Sequence, residues 1–216
     1  ENNCRRLVLS LINVTKRFGY RTVLNRACLE IKQGEAVGLL GKNGSGKSTL
    51  LRIVSRILSY DFGSILWNGK PLMSSKLDSR RFLLYLGHEP GLYPPLSALE
   101  NLQLVANIYG EDSSRKRIEK HLEAVGVDYS REGPIREFSR GMLQRLSLAK
   151  ASIISWKLLL LDEPTTGLDS DGIELLSYMV VSWKKEGRSL LVVSHDKLWI
   201  SKYMDRVVVL ENGEIN

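Results

Sequence analysis

The stretch "GKNGSGKST", Gly41–Thr49, decides the fold of this chain. It fits the pattern G-x-x-x-x-G-K-[ST], in which a glycine-rich backbone curls so that successive N–H groups point at phosphate oxygens. The short apolar run "EAVGLL" precedes it, and the helical pattern "KSTLLRIVSRIL" follows it. Because strand, loop and helix are the context that this motif requires, the stretch predicts a nucleoside triphosphate site in a parallel α/β sheet.

The residue types in this loop each suit one part of a triphosphate. Lys47 is long enough to reach the β- and γ-phosphates, and the hydroxyl of Ser48 is a ligand for Mg²⁺. The helix that follows adds the positive end of its dipole. We therefore expect nucleotide to be bound by Gly41, Lys42, Asn43, Gly44, Ser45, Gly46, Lys47, Ser48 and Thr49.

A second apolar run, "LLLLDEPTTGLD", ends in two carboxylates. Ligands of open parallel sheets bind outside the carboxyl ends of the strands, which is where Asp162 and Glu163 should lie. Asp162 is then placed to hold Mg²⁺ through water, and Glu163 to orient or deprotonate an attacking water. An isolated Asp-Glu pair is more often a polar strand end, but the phosphate loop favours the functional interpretation.

The bulk composition is that of an ordinary globular domain. Of 216 residues, 43% are hydrophobic and 25% charged, which is enough for a substantial core. The cysteines, Cys4 and Cys28, exclude a disulfide framework and favour a reducing compartment. No apolar run reaches the length of a bilayer span. The net charge of +7 suits a solvated surface with modest excess charge, an anionic membrane face or a polyanionic ligand, whereas the dispersed basic residues argue against nucleic acid.

The order of patterns along the chain predicts the architecture. The opening third has β character, including the hairpin "SILWNGKPL" with Asn68-Gly69 at its turn. Residues 96–154 have helical character, beginning with Ser97 and Glu100 as a capping box, and strands return afterwards. We predict an α/β P-loop NTPase: a RecA-like parallel sheet core, an N-terminal antiparallel β subdomain and an inserted helical subdomain. One domain spans 1–216, with 96–154 helical and 1–95 plus 155–216 forming the core and β subdomain.

The phosphate loop, the acidic strand end and the segment "FSRGM" (residues 138–142) occur together in this sequence. With these three motifs the sequence resembles the ATP-binding subunits of ABC transporters. The resemblance runs from about Leu9 to Ile215, and its elements occur in the family's order and spacing. It implies that Phe18 stacks on adenine, that Leu168 and Asp169 meet a partner subunit, and that the catalytic residues are Lys47, Glu163 and His195. Taken alone, Phe18 would be a core aromatic and His195 a strand-end residue. Their order and spacing favour the functional roles.

The family signature usually reads L-S-G-G-Q, and here it comprises Ser139, Arg140, Gly141 and Met142. Arg140 replaces a glycine, and its guanidinium contacts a nucleotide phosphate or ribose, or points to solvent. The signature opens a helix expected to begin near Met142, which is a second anion site that one ATP does not need. The resemblance therefore implies a head-to-tail homodimer, or a heterodimer with a paralogue, in which each signature closes over the other subunit's ATP.

The loop "YLGHEPGLYP" has His88 where most family members have a glutamine that reaches Mg²⁺. We expect His88 to take that place, touching the metal through water or the γ-phosphate directly, with Glu89 facing the groove for the membrane subunit. A register shifted by one residue would instead give the metal to Glu89, since a carboxylate oxygen is the harder ligand.

The same loop and "SRGMLQR" resemble the ATP-binding subunits of cytochrome c maturation, the haem exporters. The resemblance implies an ATPase that uses ATP and Mg²⁺ and drives integral membrane subunits encoded separately. It would be cytoplasmic, peripheral on the inner face of the cell membrane, without nucleic acid. The alternatives are a small export ATPase for another cargo, a soluble ABC protein of DNA repair or translation, and a regulatory nucleotide binder without turnover.

Overall fold

The computed structural model describes residues 6–72, 82–87, 91–130 and 133–216. Its strands are β1 (Leu7–Phe18), β2 (Arg21–Lys32), β3 (Ala36–Leu40), β4 (Phe62–Trp67), β5 (Lys70–Pro71), β6 (Leu83–Leu86), β7 (Leu158–Asp162), β8 (Ser189–Val193), β9 (Arg206–Glu211) and β10 (Glu214–Ile215). Its helices are α1 (Lys47–Val54), α2 (Ala98–Tyr109), α3 (Arg115–Ala124), α4 (Arg140–Ile153), α5 (Ser170–Lys185) and α6 (Lys197–Tyr203).

The larger sheet has the strand order β10-β9-β3-β8-β7-β6. β3 pairs in parallel with β8 and β9, and β7 pairs in parallel with β6 and β8. Every residue of β7 and β8 is buried, which explains their continuous apolar sequences, because a parallel sheet is covered on both faces. Because β3 and β7 are parallel neighbours of β8, the phosphate loop and Asp162 lie at the same edge of the sheet. The predicted parallel core is confirmed.

The smaller sheet is antiparallel, with the order β2-β1-β4-β5. Asn68 and Gly69 have φ angles of 49° and 76°, as a two-residue type I′ hairpin requires, so the predicted turn is found between β4 and β5. Leu9 of β1, Leu50 of α1 and Leu160 of β7 belong to one hydrophobic core. The helix after the phosphate loop is therefore anchored against both sheets.

The other face of the parallel sheet is covered by helices. Leu102 of α2, Ile118 of α3 and Leu146 of α4 share a second core with Leu159 and Leu161 of β7. β7 thus sends alternate side chains into the two cores, which fixes its register. In the part of the chain that the structure describes, no helix has the length and hydrophobicity to cross a bilayer.

Helix ends follow the sequence signals closely. Ser97 and Glu100 form the predicted capping box of α2, and Gly110 ends that helix with a φ of 73°. The signature helix α4 begins at Arg140, slightly earlier than expected, because the hydroxyl of Ser139 accepts a hydrogen bond from the Met142 N–H at 3.2 Å and so caps it. The division of the chain at residues 96 and 154 stays a prediction.

Candidate nucleotide site

The phosphate loop has no room for side chains at two of its glycines. A Cβ on Gly41 would lie 2.5 Å from the carbonyl oxygen of Leu210, and a Cβ on Gly46 would lie 2.9 Å from a methyl of Val23. Gly46 also has a φ of 107°, which side chains rarely adopt. The loop is therefore packed so closely against β2 and β9 that glycine is needed at both positions.

The side chain of Lys47 folds back onto the phosphate loop and binds its carbonyl oxygens. Its ammonium donates hydrogen bonds to the carbonyl oxygens of Gly41 at 2.8 Å and Lys42 at 3.1 Å. The side chain is almost wholly buried, and no acidic residue occurs in the first turn of α1. An anion at this loop therefore meets a desolvated cation together with the positive helix terminus.

A cavity of about 350 Å³ opens at the loop. Glu163 and His195, which are distant in sequence, line it together with the phosphate-loop residues. The structure therefore brings the three residues predicted to be catalytic into one site. The lining consists of Arg21, Val23, Asn43, Gly44, Gly46, Lys47, Ser48, Thr49, Glu163 and His195.

Glu163 and His195 contact each other directly. One carboxylate oxygen of Glu163 accepts a hydrogen bond from the backbone N–H of His195 at 3.0 Å. The other, Oε1, lies 3.1 Å from His195 Nε2. Oε1 is buried and has no hydrogen bond, so this approach is close enough for an ion pair but lacks hydrogen-bond geometry. Glu163 therefore retains an acceptor for the proton of a water, as a general base requires.

The backbone of Glu163 adopts a conformation that non-glycine residues seldom take. Its φ is 55°, and its N–H donates to the carbonyl oxygen of Val193 at 2.8 Å. This left-handed geometry costs on the order of 1 kcal/mol or more. The strained turn directs the side chain out of the strand end and towards the loop after β8.

Asp162 is buried at the end of β7, with 6% of its surface exposed. The hydroxyl of Tyr85, on the neighbouring strand β6, donates a hydrogen bond to its Oδ2 at 3.2 Å. Burial raises the pKa of Tyr85, and the negative charge of Asp162 raises it further. Tyr85 was not identified from the sequence. Its hydroxyl is the polar side-chain group within the apolar run "FLLYLG", and this signal could have marked it as a functional candidate.

The donor set fits Mg²⁺. This ion takes one or two protein oxygens and completes its shell with phosphates and waters. Ser48 and Glu163 line the phosphate cavity, and Glu163 Oε1 is a buried oxygen without a hydrogen bond. Asp162 provides a second carboxylate at the end of β7, behind the residues that line the cavity. Among the described residues, no cluster of three or more His, Cys, Asp or Glu exists that would favour an all-protein metal site. His88, the third predicted metal ligand, lies outside the described residues, as does Glu89.

Phe18 lies at a second, larger cavity of about 810 Å³. Its ring is half exposed, and the ammonium of Lys16 is 5.4 Å from the ring centroid. Thr49 lines this cavity and the phosphate cavity alike, so the cavity at Phe18 adjoins the phosphate site. Such a position suits a base attached to a triphosphate. Arg52, Arg56, Ile57, Tyr85, Gly87, Gly91, Tyr109 and Lys150 also line the larger cavity, which we call the groove.

Two further cations were not identified from the sequence. Arg21 lines the phosphate cavity, and its guanidinium donates to the carbonyl oxygen of Gly44 at 3.4 Å. Nothing in its sequence neighbourhood marks it. Lys150 lies in the groove, where burial lowers its pKa to about 8.

The signature residues lie away from the phosphate cavity. Within the described chain, none of Ser139, Arg140, Gly141 and Met142 lines that cavity. The side chain of Arg140 instead lies over Gly167, since a Cβ built there would be 3.0 Å from its Cγ. One chain therefore does not bring its own signature to its own triphosphate site.

The signature helix is connected to the predicted dimer loop. The amide of Gln144 donates to the carbonyl oxygen of Pro164 at 3.0 Å, and Arg145 pairs with Asp169 at 2.8 Å. Asp169 also caps α5 by accepting from the Gly172 N–H at 2.9 Å. The cap and Arg145 lower the pKa of Asp169, so this carboxylate stays charged. Sequence reasoning assigned no role to Gln144 or Arg145.

A glycine-rich loop between β3 and α1, with a buried carboxylate at the end of β7 on the same edge of the sheet, defines a P-loop nucleoside triphosphatase. The pattern of the ABC transporter family matches residues 24–166, and the chain belongs to this family. It is an ATP-binding and ATP-hydrolysing subunit of an ABC transporter.

Named relatives occur in more than one transport process. The lantibiotic transport ATP-binding protein SrtF of Streptococcus pyogenes is 37% identical over 96% of this chain and 89% of its own length. The cytochrome c biogenesis ATP-binding export protein CcmA of Vibrio vulnificus is 34% identical over 89% of this chain and 94% of its own. A dimeric ATP-binding cassette, MJ0796, solved in a post-hydrolysis state with ADP and Pi, has a TM-score of 0.85 and 28% identity over 96% of each chain.

Proposed function

We propose that this chain binds ATP with Mg²⁺ at the phosphate loop and hydrolyses it within a head-to-tail dimer, formed with a second copy or with a paralogue. The observation that carries the proposal is the separation within one chain. Lys47, Glu163 and His195 line one cavity, while the signature, Ser139–Met142, lies elsewhere. A second subunit is the simplest source of the missing signature, and the solved relative MJ0796 is dimeric.

Each residue acts mainly by position and charge. Lys47 leaves a loop carbonyl to contact the β- and γ-phosphates, Glu163 takes up the proton of the attacking water, and His195 stabilises the γ-phosphate. Ser48 and Asp162 hold Mg²⁺, which neutralises charge on the phosphate oxygens when bound. Phe18 stacks on adenine. Leu168 and Asp169 contact the partner subunit, and Arg140 contacts its nucleotide.

The part of the groove around Ile57, Gly87 and Gly91, rather than the part at Phe18, is the proposed contact with integral membrane subunits encoded separately. Arg52, Arg56 and Lys150 give it positive charge, and Ile57 exposes 65% of its surface there. Gly87 and Gly91, which flank the predicted coupling loop, line the same groove. We propose that this contact keeps the chain at the inner, cytoplasmic face of the cell membrane.

Within the coupling loop, we propose that His88 replaces the family glutamine and that Glu89 faces the membrane subunit. We further propose haem export for cytochrome c maturation as the process served, which the relatives named CcmA support. Lantibiotic transport is the second candidate, because SrtF matches a larger share of the chain at higher identity.

The dimer can be tested by preventing hydrolysis. Glu163→Gln keeps the shape of the side chain and removes the base, so ATP should bind and persist. Because each nucleotide then bridges two subunits, binding is linked to association, and sizing chromatography with Mg-ATP should show a dimer. Glu163→Gln combined with Lys47→Ala is the control and should stay monomeric. A monomer at every ATP and protein concentration would contradict the head-to-tail arrangement.

A further inference from the structure

We propose that Tyr85 is a positioning residue that fixes the orientation of the Asp162 carboxylate at the Mg²⁺ site. The inference rests on the proposed metal role of Asp162 and extends it to the next strand. Tyr85 belongs to no motif of the phosphate loop, the acidic strand end or the signature.

The strand register brings the two side chains together. Tyr85 of β6 is the pairing partner of Leu160 of β7, and Asp162 lies two residues further along the same face. Diagonal neighbours of this kind are within reach of an aromatic side chain. The hydroxyl of Tyr85 accordingly lies 3.2 Å from Asp162 Oδ2, which leaves Oδ1 for a metal or its water.

Gly87 holds the phenol ring from the other side. A Cβ at this position would lie 2.6 Å from the Tyr85 hydroxyl oxygen and 2.7 Å from two ring carbons. The backbone of Gly87 therefore lies close to the hydroxyl and to the ring edge beside it. The hydroxyl has Gly87, Asp162 and the side chain of Arg52 around it, so the carboxylate meets a donor whose position is restricted.

The chemistry of the phenol agrees with this role. The phenol hydroxyl lies within hydrogen-bond distance of the carboxylate and donates to its Oδ2. An ordinary core aromatic would need no hydroxyl here. Hydrogen-bonded partners of metal-binding carboxylates orient them, and their loss typically weakens metal affinity.

The test compares Tyr85→Phe with Tyr109→Phe. Tyr109 lines the same groove and is also partly buried, so its variant removes a hydroxyl without touching Asp162. Mn²⁺ binding in the presence of AMP-PNP is measured by electron paramagnetic resonance, and AMP-PNP binding is measured separately in EDTA. Tyr85→Phe should weaken Mn²⁺ binding about tenfold and leave metal-free AMP-PNP binding unchanged. Tyr109→Phe should change neither.

Equal Mn²⁺ affinity in the two phenylalanine variants would overturn the proposal. So would a loss of AMP-PNP binding in EDTA by Tyr85→Phe, because that would show a general structural role. Asp162→Asn separates this inference from the function on which it rests. If Asp162→Asn weakens Mn²⁺ binding and Tyr85→Phe does not, Tyr85 alone is wrongly assigned. If Asp162→Asn has no effect, the metal role of Asp162 itself is wrong.

Discussion

Replacing Lys47 with methionine removes one charge and nearly preserves the length of the side chain. In the structure the ammonium already has acceptors, the carbonyl oxygens of Gly41 at 2.8 Å and Lys42 at 3.1 Å. A triphosphate must therefore displace at least one of these hydrogen bonds before it gains its own. A hydrogen bond to a charged group contributes about 1.5–3 kcal/mol, so two new bonds less one lost leave a net gain of about 2 kcal/mol.

This net gain predicts that Lys47→Met raises the dissociation constant for ATP about 30-fold, since 1.4 kcal/mol is tenfold. Turnover should fall further, because charge on the transferring phosphoryl group is greatest in the transition state. A fluorescent ATP analogue measures affinity, and phosphate release measures turnover. AMP, which lacks the β- and γ-phosphates, should bind equally well before and after the substitution. Unchanged ATP affinity and turnover, or an equal loss for AMP, would refute the assigned contact.

Two further substitutions test surfaces described above. Arg145→Ala should weaken the ATP-bound dimer several-fold in a hydrolysis-deficient background, because the loop at Asp169 loses its ion pair, while ATP binding by the monomer should not change. Dimerisation is measured by sizing chromatography, and Arg115→Ala, which removes the ion pair with Glu119, is the control. Ile57→Asp should release the chain from membranes at lower salt without altering basal ATPase activity, whereas Ile108→Asp, equally exposed but outside the groove, should not. If a variant and its control give the same result, the role proposed for that surface is wrong.

Features carried by consecutive residues could be predicted from the sequence. The phosphate loop needs glycines and a lysine at fixed intervals in one turn, and Asp162 with Glu163 ends an apolar run that only a buried strand explains. The hairpin at Asn68-Gly69 and the caps of α2 are equally local. The fold class and the phosphate-binding site could therefore be predicted from the sequence alone.

Contacts between distant segments could not be predicted in the same way. Tyr85 meets Asp162 only because β6 and β7 pair in one particular register. Arg21 reaches Gly44 because the β1–β2 turn lies against the phosphate loop, and Arg145 reaches Asp169 because α4 packs beside the loop after β7. A register or a packing angle depends on the whole core, and no single segment encodes it.

The hydrogen bond from Gln144 to the Pro164 carbonyl oxygen connects two segments that would contact different ATP molecules in a dimer. Gln144 lies in the signature helix, and Pro164 directly follows Glu163, the proposed catalytic base. In a head-to-tail dimer, the helix would sense one nucleotide while the glutamate acts on the other. Binding or loss of nucleotide at one site would then alter the surroundings of Glu163 at the other site. We therefore expect this hydrogen bond to couple the two sites, so that hydrolysis of one ATP would depend on the occupancy of the other site.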